Sequence, residues 1–247
     1  MKILMTGDKG LIGGILQKEL PQYGYEISGY DKKDGLELNN TDCLTEHLKG
    51  NEAVVHLAGI PGPWGEDWEL YQYNNVDGTL SVIEACRRAK VGRIVYASSG
   101  AVYGMSNGKM EVPELPLTEG SPLALEPLCY DRSKILCEQH LAGAEDIKAR
   151  IALRLETPTP HAIPLASHLW ASITEENLGR AFHAALKADF IGFGAFNIGN
   201  DQMGEKFDSI AFWNEHYPGS RSSILYPREP LYCIRKAKEI LGYVPTS

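Results

Sequence analysis

The chain has 247 residues, of which 43% are hydrophobic and 23% charged, with a formal net charge of -8. That composition suits one large α/β domain with a sizeable core and excludes wholesale disorder. The negative balance, with no run of Lys or Arg long enough to form a binding stripe, argues against nucleic acid or an anionic membrane as the main partner. Five cysteines without a CxxC pair point to a reducing cytoplasm rather than a disulfide framework. No HExxH occurs among the seven histidines, so no metal site is expected. Gly7 follows only a few apolar residues and no apolar run approaches a membrane span, so neither a signal peptide nor a transmembrane helix is expected.

In chain order, strand-like and helix-like runs alternate. Ile3 to Thr6 reads as strand and Leu11 to Leu20 as helix, stopped by Pro21 and Gly24. Tyr25 to Tyr30 is a second strand, and Thr41 caps a short helix through His47. Ala53 to Ala58 is apolar at nearly every position, as a strand buried on both faces requires. A long helix is expected from about Glu66 to Arg88, then a buried strand from Gly92 to Ala97. Residues 100–129, rich in Gly, Pro and Glu, read as loop, followed by helix over Tyr130 to Leu141 and strand over Ile147 to Leu155. After a Pro-rich loop at 156–172 come a helix over Glu175 to Lys187, a strand over Phe193 to Ile198, and a mixed tail with a helix near Cys233 to Leu241. Such repeated β-α units predict a doubly wound parallel sheet of Rossmann type with right-handed crossovers. Residues 1–155 would form its core; 156–247 would complete the sheet and supply a small C-terminal substrate-binding portion, all in one integrated unit.

The first β-α junction carries Gly7, Gly10 and Gly13. Gly7 suits a tight turn, Gly10 a close backbone approach to a pyrophosphate, and Gly13 close helix-on-strand packing. The helix that follows offers unpaired N–H groups and a partial positive charge. Asp31, at the end of the second strand, suits the ribose hydroxyls of NAD and repels the 2′-phosphate of NADP, though Lys32 and Lys33 beside it soften that preference. Tyr130 and Lys134, four apart on one helix, project from the same face. A phenol is a poor base at neutral pH, and a nearby ammonium lowers its pKa. Ser98 and Ser99, at a strand end, could orient a substrate oxygen.

Together these residues resemble the extended short-chain dehydrogenase/reductase family of NAD-dependent sugar epimerases, dehydratases and dehydrogenases. The resemblance runs nearly end to end. It rests on Thr6-Gly7-x-x-Gly10-x-x-Gly13, Asp31, Asp42, His56-Leu57-Ala58-Gly59, Asn75-Val76-Asp77-Gly78-Thr79, Ser98 to Gly104, and the Tyr130/Lys134 pair. Pro116 to Glu119 and Leu241-Gly242-Tyr243-x-Pro245 also match. The resemblance implies that Gly7, Gly10, Leu11, Ile12 and Gly13 line the pyrophosphate, Asp31 holds the adenosine ribose, and Asp42 faces the adenine amine. It implies that Leu57, Ala58 and Gly59 pass under the nicotinamide half and that Asn75 braces the neighbouring helix and strand. Ser99, Tyr130 and Lys134 would be catalytic, with Lys134 also binding the nicotinamide ribose. A homodimer through helices near Thr79–Arg88 and Tyr130–Leu141 is implied as well.

Departures from the family pattern bear on the substrate. Sugar-nucleotide 4,6-dehydratases resemble this pattern but place Asp and Glu after the catalytic hydroxyl, where this chain has Gly100 and Ala101. Thr157 stands where many nucleotide-sugar epimerases have Asn, and the chain is shorter than typical nucleotide-sugar members. Uronate dehydrogenases of the family are short and carry a similar Thr-Pro, but their serine pair is followed by Asn-His. Trp64, Trp68, Arg154, Trp170, His161 and His168 are candidate pocket residues that could equally be structural. The resulting expectation is an NAD-dependent oxidoreductase acting on a secondary alcohol of a small, sugar-like substrate, as dehydrogenase or epimerase. The alternatives are a nucleotide-sugar 4-epimerase and a non-catalytic NAD-binding regulatory protein.

Overall fold

The computed structural model describes residues 1–62, 67–104, 114–159, 172–202, 207–224 and 226–246. Its elements are β1 (Lys2–Thr6), α1 (Leu11–Glu19), β2 (Glu26–Tyr30), α2 (Thr41–Leu48), β3 (Ala53–His56), α3 (Trp68–Tyr71), α4 (Gly78–Ala89) and β4 (Arg93–Ser99). They continue with β5 (Glu114–Leu115), α5 (Cys129–Gly143), β6 (Ala149–Leu155), α6 (Glu175–Lys187), β7 (Gly192–Asn197), α7 (Ser209–His216) and β8 (Arg221–Ser222). Six strands form one parallel sheet in the order β2-β1-β3-β4-β6-β7. All four residues of β3 and all seven of β6 are buried, which accounts for their lack of polar alternation. Edge strand β2 is the contrast, with only Tyr30 of its five residues buried.

Two apolar layers sandwich the sheet. Alternate strand residues such as Ile3, Met5, Val55 and Ile151 pack with α1 and α6, through Ile15, Leu16, Leu178 and Phe182. Their neighbours Leu4, Val54, Ile94 and Ala152 face α2, α4 and α5, through Leu44, Val82, Cys86 and Cys137. A third, smaller cluster joins Val102, Tyr103, Leu115, Leu117, Phe212, Leu231 and Tyr232 beside the short parallel pair β5·β8. A buried ion pair links the large sheet to this region. Arg154 Nε and Nη2 donate to the two Glu138 oxygens at 3.0 and 2.7 Å, while Nη1 donates to the Tyr103 hydroxyl at 2.6 Å.

The structure differs from the expected elements in three places. The long helix after β3 is broken by a π turn, Gln72–Asp77, that includes Asn75; its i→i+5 bonding shifts the helical phase over too few residues to stand out in a 3.6-residue pattern. Residues 100–129 hold a 3-10 turn, Gly100–Tyr103, and β5, both too short to show periodicity. The helical end of the tail starts at 235 rather than near Cys233 and is a π turn over Ala237–Leu241.

The strand order positions the site. From β1 the chain goes outward to β2, then returns past β1 to β3, so the connections leaving β1 and β3 diverge to opposite sides. Register pairs Thr6 with His56 at the ends of these two strands. In open parallel sheets the crevice at this reversal, outside the strand carboxyl ends, is where ligands bind.

Candidate active site

A cleft of about 430 Å³ opens at that reversal. Its floor is the glycine turn. Gly7 has φ 71°, and a Cβ there would lie 2.7 Å from the Ala58 backbone nitrogen, so only glycine fits this close crossing of the β1 and β3 extensions. A Cβ on Gly13 would lie 2.3 Å from the Asp8 carbonyl oxygen. Gly10, by contrast, has only the Gly7 carbonyl nearby at 3.2 Å and faces the cleft. No side chain caps α1, whose first N–H groups start at this turn.

A chain of hydrogen bonds braces the floor from beneath. Thr6 Oγ1 lies 2.8 Å from His56 Nδ1, and His56 Nε2 lies 3.0 Å from Thr79 Oγ1, which donates to the Asn75 carbonyl at 2.7 Å. Burial drives the His56 pKa down to about 3, so the imidazole is neutral; the hydrogen bonds place its proton on Nε2. Asn75 itself accepts from Ile60 N at 2.7 Å and donates to Ser133 Oγ at 2.9 Å, tying the β3 extension to α5.

At one end of the cleft sits Asp31. It accepts from Lys9 N at 3.1 Å and from Lys33 N at 2.8 Å. Lys32, Lys33, Leu36, Leu38 and Asn39 line the wall around it. Asp8, buried beneath, accepts from Gln17 Nε2 at 2.9 Å, and its pKa is raised by burial and then by the neighbouring Asp31 charge. At the other end β4 and α5 deliver Ser99 and Tyr130. Ser98 also lines the cleft, but its hydroxyl donates to Glu138 Oε1 at 2.6 Å. Burial pushes the Tyr130 pKa up to about 12, a rise opposed by a hydrogen bond with Ser99 and reinforced by the charge of Glu156. Lys134 donates to the Ala97 carbonyl at 2.8 Å, with Nζ 5.7 Å from the Tyr130 ring centre, and burial lowers its pKa to about 8. The expected lowering of the phenol by this ammonium is therefore outweighed by burial: in the protein alone, Tyr130 rests as an acid.

The structure thus brings Gly7, Gly10, Leu11, Ile12, Gly13, Asp31, Leu57, Ala58, Gly59, Ser99 and Tyr130 to one cleft. Asn75 and Lys134 stand directly behind its wall, bonded to Ile60 and Ala97. Asp42 is the correction. Its side chain is 92% exposed and paired with Arg88 at 2.9 Å, away from the cleft. The cause is the cap of α2. Asn40, not Thr41, accepts from Cys43 N and starts the helix, which puts Asp42 in its first turn, facing α4. Leu38 and Asn39 occupy the cleft wall instead, and their place just before a cap residue was the readable signal.

Arg154 is also absent from the cleft, being 5% exposed and held by Glu138. Trp68 packs under Arg132, whose guanidinium carbon lies 4.2 Å from the ring centre, while Pro61 and Gly62 of the same segment reach the cleft. Trp64, His161, His168 and Trp170 lie outside the described residues. Glu156, unremarked in the sequence, lines the cleft beside Thr157, and burial raises its pKa to about 8. Among the described residues there is no group of three or more His, Cys, Asp or Glu able to hold a metal, and no helix long and apolar enough to cross a membrane.

A cleft with an uncapped helix start and glycine floor at its centre, a carboxylate at one end and a Ser/Tyr pair at the other, fits a dinucleotide laid across the strand ends. Known proteins agree with that geometry. Over 175 residues the chain is 38% identical to the UDP-glucose 4-epimerase of Yersinia pestis, covering 59% of this chain and 48% of that enzyme. It is 29% identical over 170 residues to the 2-alkyl-3-oxoalkanoate reductase of Stenotrophomonas maltophilia, covering 62% of this chain and 50% of that one. The chain therefore spans about half the length of the curated relatives it matches. The crystal structure of UDP-glucuronic acid 4-epimerase from Bacillus cereus in complex with NAD superposes with a TM-score of 0.73 at 25% identity, covering 100% of this chain and 94% of that one. Residues 3–156 match the model of the NAD dependent epimerase/dehydratase family, and the chain belongs to that family.

Proposed function

We propose that the chain is an NAD-dependent oxidoreductase acting on a secondary alcohol of a sugar-like substrate. One observation carries this reading: Ser99 and Tyr130 meet at the far end of a cleft whose near end holds Asp31 and whose floor is the glycine turn. Asp31 would hold the adenosine ribose, and the α1 N-terminus with Gly10 would receive the pyrophosphate. When bound, NAD supplies a hydride acceptor and a positive ring. In the oxidising direction Tyr130 removes the hydroxyl proton, with Ser99 orienting the oxygen and the buried Lys134 charge favouring the phenolate. In the reducing direction Tyr130, resting as an acid, returns that proton to a ketone. Release of the ketone makes a dehydrogenase; its rotation and reduction from the other face makes an epimerase. The same side chains serve both outcomes.

The test is incubation with NAD and a panel of sugars, uronates and nucleotide sugars. Net growth of reduced-nicotinamide absorbance is expected for a dehydrogenase, and a changed sugar without net NADH for an epimerase. NAD binding without turnover on any of them would replace this reading with that of a regulatory binding protein.

A further inference from the structure

Building on the oxidoreductase reading, we propose that Tyr71 is a positioning residue that sets the Tyr130 ring against the cleft-lining segment after β3. Its ring packs on Tyr130 and its hydroxyl holds Gly62. One side chain therefore touches both the proton-transferring phenol and the wall along which the cofactor would lie.

The position follows from α3. Asp67 caps this short helix, its carboxylate accepting from Leu70 N at 3.3 Å. Trp68 and Tyr71, three apart, share the face turned to α5. Trp68 lies under Arg132, and the Tyr71 ring centre lies 6.1 Å from that of Tyr130, edge-on, with the planes 60° apart. Such contacts favour a fixed mutual orientation of the two rings. The Tyr71 hydroxyl donates to the Gly62 carbonyl at 2.6 Å, and Pro61 and Gly62 line the cleft. Asn75 holds the same segment at Ile60, accepting from its N–H at 2.7 Å and donating to its carbonyl at 3.2 Å. The segment is thus held at two points, and Tyr71 ties the second of them to Tyr130.

Tyr71 is not part of the apolar core. It is 1% exposed, yet among the described residues it belongs to none of the three apolar clusters. A buried phenol needs a partner for its hydroxyl, and here a partner is a cleft-lining carbonyl. Around Tyr130 stand Ser99 from β4, Glu156 beyond β6, Asp131 and Lys134 from α5, and Tyr71 from α3. Tyr71 supplies ring surface there, which keeps water from the half-buried Tyr130 and adds to the burial that raises its pKa. A smaller side chain would free Tyr130 to turn and admit water beside it. A misplacement of about 1 Å is enough to cost about 10²-fold in rate.

The experiment compares wild type, Tyr71→Phe and Tyr71→Leu as full chains. NAD affinity is read by fluorescence titration. The Tyr130 titration is read by NMR of isotope-labelled tyrosine Cζ, its signal identified by its loss in Tyr130→Phe. The rate constant kcat is read with whichever sugar of the panel turns over. Tyr71→Phe keeps the ring and loses the hydroxyl, so NAD should bind about 3- to 10-fold more weakly while Tyr130 titrates as in wild type. Tyr71→Leu loses both. NAD should weaken similarly, Tyr130 should begin to titrate about one pH unit lower or more, and kcat should fall about tenfold or more, with recovery in Tyr71→Phe. A ring that only fills space would move neither the NAD affinity of Tyr71→Phe nor the Tyr130 titration. Wild-type NAD affinity in Tyr71→Phe, or a wild-type Tyr130 titration in Tyr71→Leu, overturns the proposal and leaves the oxidoreductase reading intact. Should circular dichroism show Tyr71→Leu unfolded, the NAD affinity of Tyr71→Phe decides by itself. If wild type binds no NAD, the oxidoreductase reading falls, and the Tyr130 titration still decides whether Tyr71 sets that ring.

Discussion

The two ends of the cleft are built by different means. Around Asp31 the shape is set by backbone: two N–H groups hold the carboxylate, a glycine turn forms the floor, and the surrounding lysines are part-exposed, with Lys9 paired to Asp34. Around Tyr130 the shape is set by side chains, Lys134 buried and Tyr130 and Glu156 half-buried, whose titration is displaced by desolvation, with Tyr130 and Glu156 raised and Lys134 lowered. Recognition of an invariant nucleotide needs only fixed backbone geometry. Proton transfer and choice of substrate need groups whose charge state the protein can set.

Removing the phenol should separate the two ends most sharply. Tyr130→Phe is expected to lower kcat by about 10² to 10⁴-fold, the usual span for a general acid–base group. NAD affinity, measured by fluorescence titration, should stay within about threefold; a parallel loss of binding would show that the ends are not independent. Next in size is Asp31→Ala. Loss of a charged hydrogen-bond acceptor for the ribose should weaken NAD about 10- to 100-fold, with kcat at saturating NAD little changed. Asp42→Ala is the matched control, expected within about twofold of wild type because its side chain points to solvent beside Arg88. A larger effect there would mean that the adenine reaches α2.

The remaining prediction concerns stability rather than the two ends of the cleft. Glu156 has its folded-state pKa raised from 4.5 to about 8, so its contribution is most favourable below pH 4.5 and is lost as pH rises through 8. In that window the folded protein holds a proton that the unfolded chain has released. Glu156→Gln lacks this loss, so its Tm relative to wild type should climb between pH 5 and 8, by roughly 2–4 °C for each kcal/mol regained. A Tm difference independent of pH would show that Glu156 is ionised throughout.

What could be read from the sequence follows the same division. The buried strands β3 and β6 announce themselves because both faces are covered and most positions are apolar, with His56, Arg150 and Arg154 the buried exceptions. The glycine turn is legible because steric exclusion of a Cβ leaves a mark in residue type at Gly7 and Gly13. Asp42 differs from expectation because Asn40 caps α2 and leaves Asp42 in its first turn, exposed and paired with Arg88, a placement no residue pattern along the chain marks. Glu156 left no local mark at all. Its place in the cleft follows from the pairing of β4 with β6, residues far apart in the chain, and a glutamate after a strand looks like any loop residue. The π turn at Asn75 was hidden likewise, since its cause is the contact of that amide with Ile60 and Ser133 rather than a pattern along the helix.

The carboxylate of Asp31 is shared between the N–H of Lys9, in the turn after β1, and that of Lys33, in the turn after β2. Besides its proposed part in holding the ribose it is a clasp, fastening two separate loops. A receptor whose loops are already ordered gives up little freedom on association, so most of the interaction energy remains as affinity. Loosening the clasp would turn a rigid docking step into one that must first organise its own floor, and the cofactor's rate of arrival would then report on the loops rather than on diffusion.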